Sequence, residues 1–285
     1  MPRRMKQEVE ERIRARWAAP DEELRAAIRA ESWTGHNIPI TAGESTLGPS
    51  AEVIGENRRT IVIKPLIHRA FGGRQGSVLD LGSLEGGLSF EMAREGWQTT
   101  GVEGREANFR KASLIAQYYG LPNLRFVLKD VKELSPERDG VFDAILCCGL
   151  LYHLDEPIAH LRQLESLLAP DGLLFLDTHV APDENAARYG THAASLSEPV
   201  TIRESSHEYD GVWWSEPSAG DLREQMWSAV SNVRSLWLTR RSLIRALYHS
   251  GFHEVHELFG MYEIDTEIAL RDQFSRLYLA CRKRW

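Results

Sequence analysis

Cysteine is scarce in this chain: three of 285 residues, Cys147, Cys148 and Cys281, with no Cys-x-x-Cys and no nearby His-x-x-x-His spacing. That excludes a disulfide framework and a zinc site of ordinary spacing, and it makes the adjacent Cys147 and Cys148 packed small residues of an apolar run rather than a redox pair. No apolar stretch reaches the roughly 20 residues that a membrane-spanning helix needs. The start, Met-Pro-Arg-Arg-Met-Lys-Gln-Glu, lacks the apolar core of a signal peptide. A cytoplasmic protein with no membrane partner is expected. Positive charge is also in deficit, with 34 Lys and Arg against 41 Asp and Glu and a net charge of −7. A general nucleic-acid surface is therefore disfavoured, although a local basic patch could still meet tRNA. Two familiar phosphate loops are missing as well. There is no Gly-x-x-x-x-Gly-Lys-Ser/Thr, and Gly-x-Gly-x-x-Gly fails because Leu84 stands at the second glycine position after Gly82. No repeat or low-complexity tail is present.

What is present begins with composition: 42% hydrophobic and 26% charged residues, ordinary for a globular protein with a sizeable core. The chain is organised around Ser77 to Gly87, Ser-Val-Leu-Asp-Leu-Gly-Ser-Leu-Glu-Gly-Gly. Val78, Leu79 and Leu81 read as a short buried strand containing Asp80. Leu88, Phe90, Met92 and Ala93 then follow at helix-compatible spacing up to Gly96. A strand, a turn and a helix is the order in which backbone N–H groups at a helix start meet a negatively charged ligand, and Gly82 and Gly86 allow close approach. Gln98 to Val102 is a second strand that closes on Glu103-Gly104, about 20 residues beyond the loop. An acid in that place of a doubly wound sheet accepts bonds from ribose hydroxyls.

Elsewhere the pattern alternates. Residues 6 to 33 read as two amphipathic helices, with Val9, Ile13 and Trp17 in the first, then Pro20 and three acids opening one that carries Leu24 and Ile28. This arm is a packing or homodimer element, with a lid over the active site as the alternative. Thr34 to Pro49 is an ordered loop holding His36 and Glu44, and Asn57 to Phe71 is helical with Pro65 as a kink. Glu106 to Tyr119 is a helix stopped by Gly120, and Leu124 to Leu128 a third strand ending at Lys129-Asp130-Val131. Val141 to Cys148 is a fourth strand, apolar enough for the centre of a parallel sheet. Gly149 and Leu150-Leu151-Tyr152-His153-Leu154 follow, and a helix runs from Pro157 along Ile158, Leu161, Leu164 and Leu168. Pro170-Asp171-Gly172 reads as a turn before a fifth strand, Leu173 to Leu176, leading to Asp177, Thr178 and His179. Residues 180–236 interrupt the alternation with an insertion holding Tyr189, Tyr209, Trp213, Trp214 and Trp227. A helix capped by Thr239 and two closing strands, Phe252 to Phe259 and Leu277 to Cys281, complete the chain.

Asp80-x-Gly82-x-x-x-Gly86 resembles the first motif of the S-adenosylmethionine-dependent methyltransferases, whose usual form, Asp/Glu-x-Gly-x-Gly-x-Gly, has a middle glycine that is absent here. The block from Cys148 to Leu154 is similar to the fourth motif of the small-molecule members and of the wobble-uridine carboxymethyltransferase relatives. The resemblance covers roughly residues 72–285. It implies an α/β fold: a Rossmann-like, mostly parallel seven-stranded sheet with helices on both faces, an N-terminal helical arm over 1–71, and a substrate lid in the insertion after the fifth strand. It implies S-adenosyl-L-methionine as cofactor, held by Asp80, Gly82, Ser83, Gly86 and Glu103, with Asp130 on the adenine amino group, a Val131 backbone N–H toward the ring and Cys148 beside the sulfonium. His153, with His179 as second candidate, is placed to deprotonate the acceptor, Tyr152 to orient it, and Tyr209, Trp213 and Trp214 to wall the pocket. No Asn/Asp-Pro-Pro-Tyr/Phe and no Pro-Cys follows the fourth strand, which speaks against amide or adenine methylation and against cytosine C5 methylation. A small-molecule oxygen or nitrogen acceptor, natural-product or sugar-like, is the expectation. A tRNA wobble-uridine transferase drawing on Arg58, Arg59 or Lys64 for a carboxylated cofactor, and a non-catalytic partner subunit with a relic pocket, are the alternatives.

Overall fold

The structure, a computed structural model, describes residues 2–181, 194–216, 228–258 and 276–283. The chain divides into two compact units, Met1–Glu133 and Leu134–Trp285.

The first unit contains α1 (Pro2–Ala18), α2 (Glu22–Ala30), the short hairpin β1 (Pro39–Thr41) and β2 (Glu44–Ser45), α3 (Arg58–Ala70), β3 (Ser77–Leu81), α4 (Gly87–Arg94), β4 (Gln98–Glu103), α5 (Glu106–Tyr119) and β5 (Leu124–Leu128). Asp21 caps α2 by accepting from the Leu24 N–H, and Glu22 and Glu23 sit in its first turn, where the helix dipole favours acids. The apolar faces of the two arm helices do not stand apart. Val9, Ile13 and Ile28 share one core with Ile38, Ile40, Phe90, Ile115 and Tyr118. Trp17 Nε1 donates to Tyr119 Oη at 2.9 Å, and Tyr118 Oη donates to the Ile40 carbonyl at 2.9 Å. The arm is thus a packed layer of the first unit, and the compact division falls after Glu133 rather than at the 71/72 boundary read from the sequence. Burial of that apolar stripe is what sets the arm in place.

The second unit contains α6 (Pro136–Asp139), β6 (Phe142–Cys148), α7 (Pro157–Leu167), β7 (Leu168–His179), β8 (Val200–Glu204), β9 (His207–Ser215), β10 (Arg234–Leu238), α8 (Arg240–His249), β11 (Phe252–Glu257) and β12 (Arg276–Lys283). The turn expected at Pro170-Asp171-Gly172 does not break the chain. Asp171 takes a φ of +64°, and the register slips from Phe142 opposite Leu168 to Ala144 opposite Leu173, so the tripeptide is absorbed as an irregularity within β7. The insertion builds its own antiparallel sheet in the order β10–β9–β8. Tyr189, Trp227 and Phe259 lie outside the described residues.

Hydrogen-bonded neighbours in the central sheet run β11–β12–β7–β6–β3–β4–β5. The β3–β4, β4–β5 and β6–β7 pairs are parallel, and β12 pairs antiparallel with both β7 and β11. That is the seven-stranded, mostly parallel sheet expected, with an antiparallel hairpin closing one edge. No helix among the described residues is long and apolar enough to cross a membrane. Register places Leu81 opposite Val102, so the loop after β3 and the tip of β4 emerge side by side.

Candidate active site

In the first unit the loop from Gly82 to Gly87 is a sequence of left-handed turns. Gly82, Leu84 and Gly86 have φ of +61°, +51° and +82°. The residue standing where the family motif has its middle glycine therefore adopts the glycine conformation without being glycine, at a cost of about 1–2 kcal/mol. What holds it there is Glu103: its Oε2 accepts the Leu84 N–H at 2.8 Å, and its Oε1 the Arg105 N–H at 2.8 Å. Glu103 is buried, and burial raises its pKa against the pull of those two bonds. Gly86 is needed for packing: a Cβ there would lie 2.5 Å from Phe126 Cζ.

The other predicted acid, Asp80, faces inward and accepts from Ser89 Oγ at 2.6 Å, bracing β3 to α4. Burial pushes its carboxyl up to about 7 even though Ser89 draws it down. Between the ordinary carboxylate range and about 7 the native chain keeps a proton on Asp80 that the unfolded chain has lost. Stability therefore falls as pH rises through that window and levels off above it. Relative to wild type, Asp80→Asn should gain on the order of a few kcal/mol in denaturant unfolding between about pH 4 and pH 8. Parallel profiles for the two proteins would disprove the shift.

Two further side chains that brace this loop, Glu85 within it and His36 from the 34–49 segment, were not among the predicted site residues. Glu85, fully buried, gathers five donors: the Thr34 N–H (2.9 Å) and hydroxyl (3.1 Å) and Lys111 Nζ (2.9 Å) on Oε1, with the Gly35 (3.0 Å) and His36 (2.9 Å) N–H groups on Oε2. Burial raises its pKa, but Lys111 and the backbone donors outweigh that and leave it lowered. His36 Nδ1 accepts the Gly87 N–H at 3.0 Å, so the first N–H of α4 is already taken. Burial drives the His36 pKa down to about 4, which keeps its ring a neutral acceptor. Arg59, one of the cations named from sequence, lowers the pKa of both Asp80 and His36 and so lies near this loop. Ser83 is buried, and its Oγ has no hydrogen-bond partner among the described residues. Asp130 Oδ1 accepts the Lys132 N–H at 3.0 Å, capping the short turn of which Val131 is a buried member.

In the second unit β6 ends at half-buried Cys148, and the chain turns through Leu151–His153 in a single 3₁₀ turn. The insertion grips this turn. Trp237 Nε1 donates to the Tyr152 carbonyl at 2.8 Å, Asn232 Nδ2 to the His153 carbonyl at 3.0 Å, and the Leu236 N–H to the Leu154 carbonyl at 2.9 Å. His153 Nδ1 lies 3.1 Å from Glu216 Oε1. The rings cluster: His179 stacks on Trp237 at 5.0 Å, Trp214 stacks on Trp237 at 5.0 Å, and Tyr152 meets His179 edge-on at 4.5 Å. Tyr152, His153, His179 and Trp214, all predicted, thus come together with the unpredicted Trp237, Glu216 and Arg276. Arg276 is paired with Asp177 and sits 5.5 Å over the Tyr152 ring. Trp213 carries Arg234 over its ring at 4.1 Å. Tyr209 is the misfit. It is fully buried, with its hydroxyl 2.8 Å from His249 Nδ1 on α8, so the structure makes it a core residue and not a pocket wall.

A family model described as "Methyltransferase domain" matches residues 55–257. Among curated proteins, the ubiquinone biosynthesis O-methyltransferase of Albidiferax ferrireducens is 35% identical over 101 residues, covering 35% of this chain and 40% of that protein. The Acinetobacter baumannii protein of the same name is 32% identical over 108 residues, covering 38% and 46%. The chain thus spans less than half the length of these relatives. Among solved structures, the N-terminal domain of EvdMO1 in the presence of SAH and D-fucose aligns with a TM-score of 0.65 at 27% identity, covering 93% of this chain and 97% of that one. A Clostridium acetobutylicum S-adenosylmethionine-dependent methyltransferase, at 12% identity and a TM-score of 0.51 over 80% of this chain and 91% of that one, shares the fold.

Proposed function

The chain belongs to the methyltransferase-domain family, and from that premise we propose that it transfers a methyl group from S-adenosyl-L-methionine to an oxygen of a small, sugar-like molecule. The observation that carries this reading is the Glu103–Leu84 grip with Ser83 next to Leu84 in the chain: a buried carboxylate with lone pairs to spare and a buried hydroxyl with no hydrogen-bond partner among the described residues, both at a left-handed glycine loop. Such a set suits the hydroxyls and the amino-acid end of an adenosyl ligand.

In this reading Gly82, Ser83 and Gly86 cradle the amino-acid end, Arg59 faces its carboxylate, Glu103 accepts from the ribose, Asp130 and Val131 meet the adenine, and Cys148 lies toward the sulfur. When bound, the cofactor supplies a methyl group on a positively charged sulfur. The chain's own task is alignment, which can contribute roughly 7–11 kcal/mol of barrier lowering, and removal of the acceptor proton, assigned to His153. The grip of β10 and Asn232 on the carbonyls of residues 152–154 fixes the backbone that carries that imidazole, and Trp213 and Trp214 offer indole surface of the kind that lines concave pockets. A sugar hydroxyl is favoured as acceptor because the EvdMO1 domain, aligned over nearly the whole chain, was crystallised in the presence of D-fucose.

Calorimetry with S-adenosylhomocysteine tests the first step, and transfer of labelled methyl to a panel of deoxyhexoses, phenols and bulk tRNA tests the second. Binding with label on a deoxyhexose is expected. Absence of binding overturns the enzymatic reading, and label on tRNA alone would transfer it to a nucleic-acid acceptor.

A further inference from the structure

We propose that Glu216 is the positioning residue of the reaction, holding His153 in the one tautomer that leaves Nε2 bare to take the acceptor's proton. This rests on the methyl-transfer reading above. The geometry is that of a histidine with an oriented back side. His153 Nδ1 is 3.1 Å from Glu216 Oε1, the glutamate side chain is fully buried, and the imidazole is largely so. Glu216 is held in turn by the Ser235 hydroxyl on Oε1 and by the Ala229 N–H on Oε2 at 3.1 Å. Burial raises the Glu216 pKa, but the His153 and Ser235 bonds outweigh it and lower it, so the group facing Nδ1 is an anion, which accepts and does not donate. Nδ1 must then carry the proton, as in other histidines whose second nitrogen does the chemistry.

The arrangement also assigns the insertion a role beyond covering the substrate. Asn232 Nδ2 bonds the His153 carbonyl, the Arg234 carbonyl (2.9 Å) and Ser235 Oγ (3.3 Å), so the segment that orients Glu216 also fixes the backbone of the histidine it serves. In the step itself the acceptor hydroxyl proton passes to His153 Nε2 while the oxygen's electron pair forms the bond to the methyl carbon. The pair of the breaking carbon–sulfur bond stays on sulfur. The imidazolium, its Nδ1 still facing Glu216, returns its proton to water.

The experiment compares wild type, Glu216→Gln, Glu216→Asp, His153→Ala and the double variant Glu216→Gln/His153→Ala, with S-adenosylhomocysteine affinity as the control for folding. Glu216→Gln should lower kcat about 10²-fold or more while leaving cofactor affinity within about threefold, Glu216→Asp should recover part of the loss, and the double variant should be no slower than His153→Ala, because residues acting as one unit are not additive. Nitrogen-15 histidine spectra of the cofactor-free protein, taken where the ring is neutral, should show Nδ1 protonated in wild type and both tautomers in Glu216→Gln. Ser235→Ala, which keeps the carboxylate, should cost only several-fold and serves if Glu216→Gln fails to fold. Multiplying losses in the double variant, or an unchanged tautomer in Glu216→Gln, would overturn the proposal. Full activity of His153→Ala with intact cofactor binding would remove the histidine as base and leave the family reading standing, whereas loss of cofactor binding in wild type would remove that reading itself.

Discussion

Replacing Glu85 with alanine is expected to cost about 3–5 kcal/mol of stability, because the change strands a buried ammonium and three backbone N–H groups at once. The Lys111 side chain is only 7% exposed and its Nζ has Glu85 as its carboxylate at 2.9 Å, and the N–H groups of Thr34, Gly35 and His36 converge on the same glutamate. Lys111→Met should cost less, since the carboxylate then keeps its backbone donors; the order of the two variants is the sharper part of the prediction. The carboxylate's pKa is lowered, so its contribution is complete above the ordinary carboxylate range and is lost as pH falls below it. Urea unfolding of the two variants decides the matter. A cost under about 1 kcal/mol for Glu85→Ala, or a larger one for Lys111→Met, would show that the cluster is a consequence of the fold and not a support for it. The functional weight comes from position. Glu85 belongs to the loop between Gly82 and Gly86, and the chain it captures, Thr34 to His36, includes the histidine that occupies the Gly87 N–H.

How much of this was legible in the sequence follows from which interactions are local. The β3 strand, the glycine turn and the acid at the end of β4 were readable because strand burial and left-handed backbone leave period and glycine in the chain itself. The loop's real shape was not, because Leu84 hides a positive φ behind a side chain that ordinarily avoids it. Glu85 and Glu216 left no signal at all. Each is an ordinary acid in sequence, and each acquires its role from partners 26 to 63 residues away. His36 carries no role in the sequence, because the group it serves, the Gly87 N–H, lies 51 residues away. Tyr209 shows the opposite error: an aromatic residue in a lid-like insertion reads as pocket wall, yet in a β-sheet alternate residues face opposite sides, and this one faces α8. The arm was seen as two amphipathic helices, but amphipathicity says that a face is buried and not against what.

Glu103→Gln should weaken binding of S-adenosylhomocysteine by about 10²-fold, the loss of one or two charged hydrogen bonds at roughly 1.5–3 kcal/mol each. The substitution keeps shape while turning one acceptor into a donor, and both oxygens already face N–H groups, Leu84 on one side and Arg105 on the other. Some of the loss would therefore come from a disturbed loop and not from the ligand, and affinity alone cannot separate the two. A second ligand does. An analogue lacking the ribose 2′-hydroxyl should bind wild type more weakly than the parent by about tenfold, whereas the Glu103→Gln protein should barely distinguish them, because the partner that reads the hydroxyl is gone. Equal discrimination by both proteins would show that Glu103 only shapes the loop. The carboxylate accepts from hydroxyls as an anion, and burial has raised its pKa, so affinity should also fail toward acid at a higher pH than an exposed glutamate would give. That acid-side loss should vanish in Glu103→Gln, which ties the pH response of binding to this one side chain and the grip it keeps on Leu84.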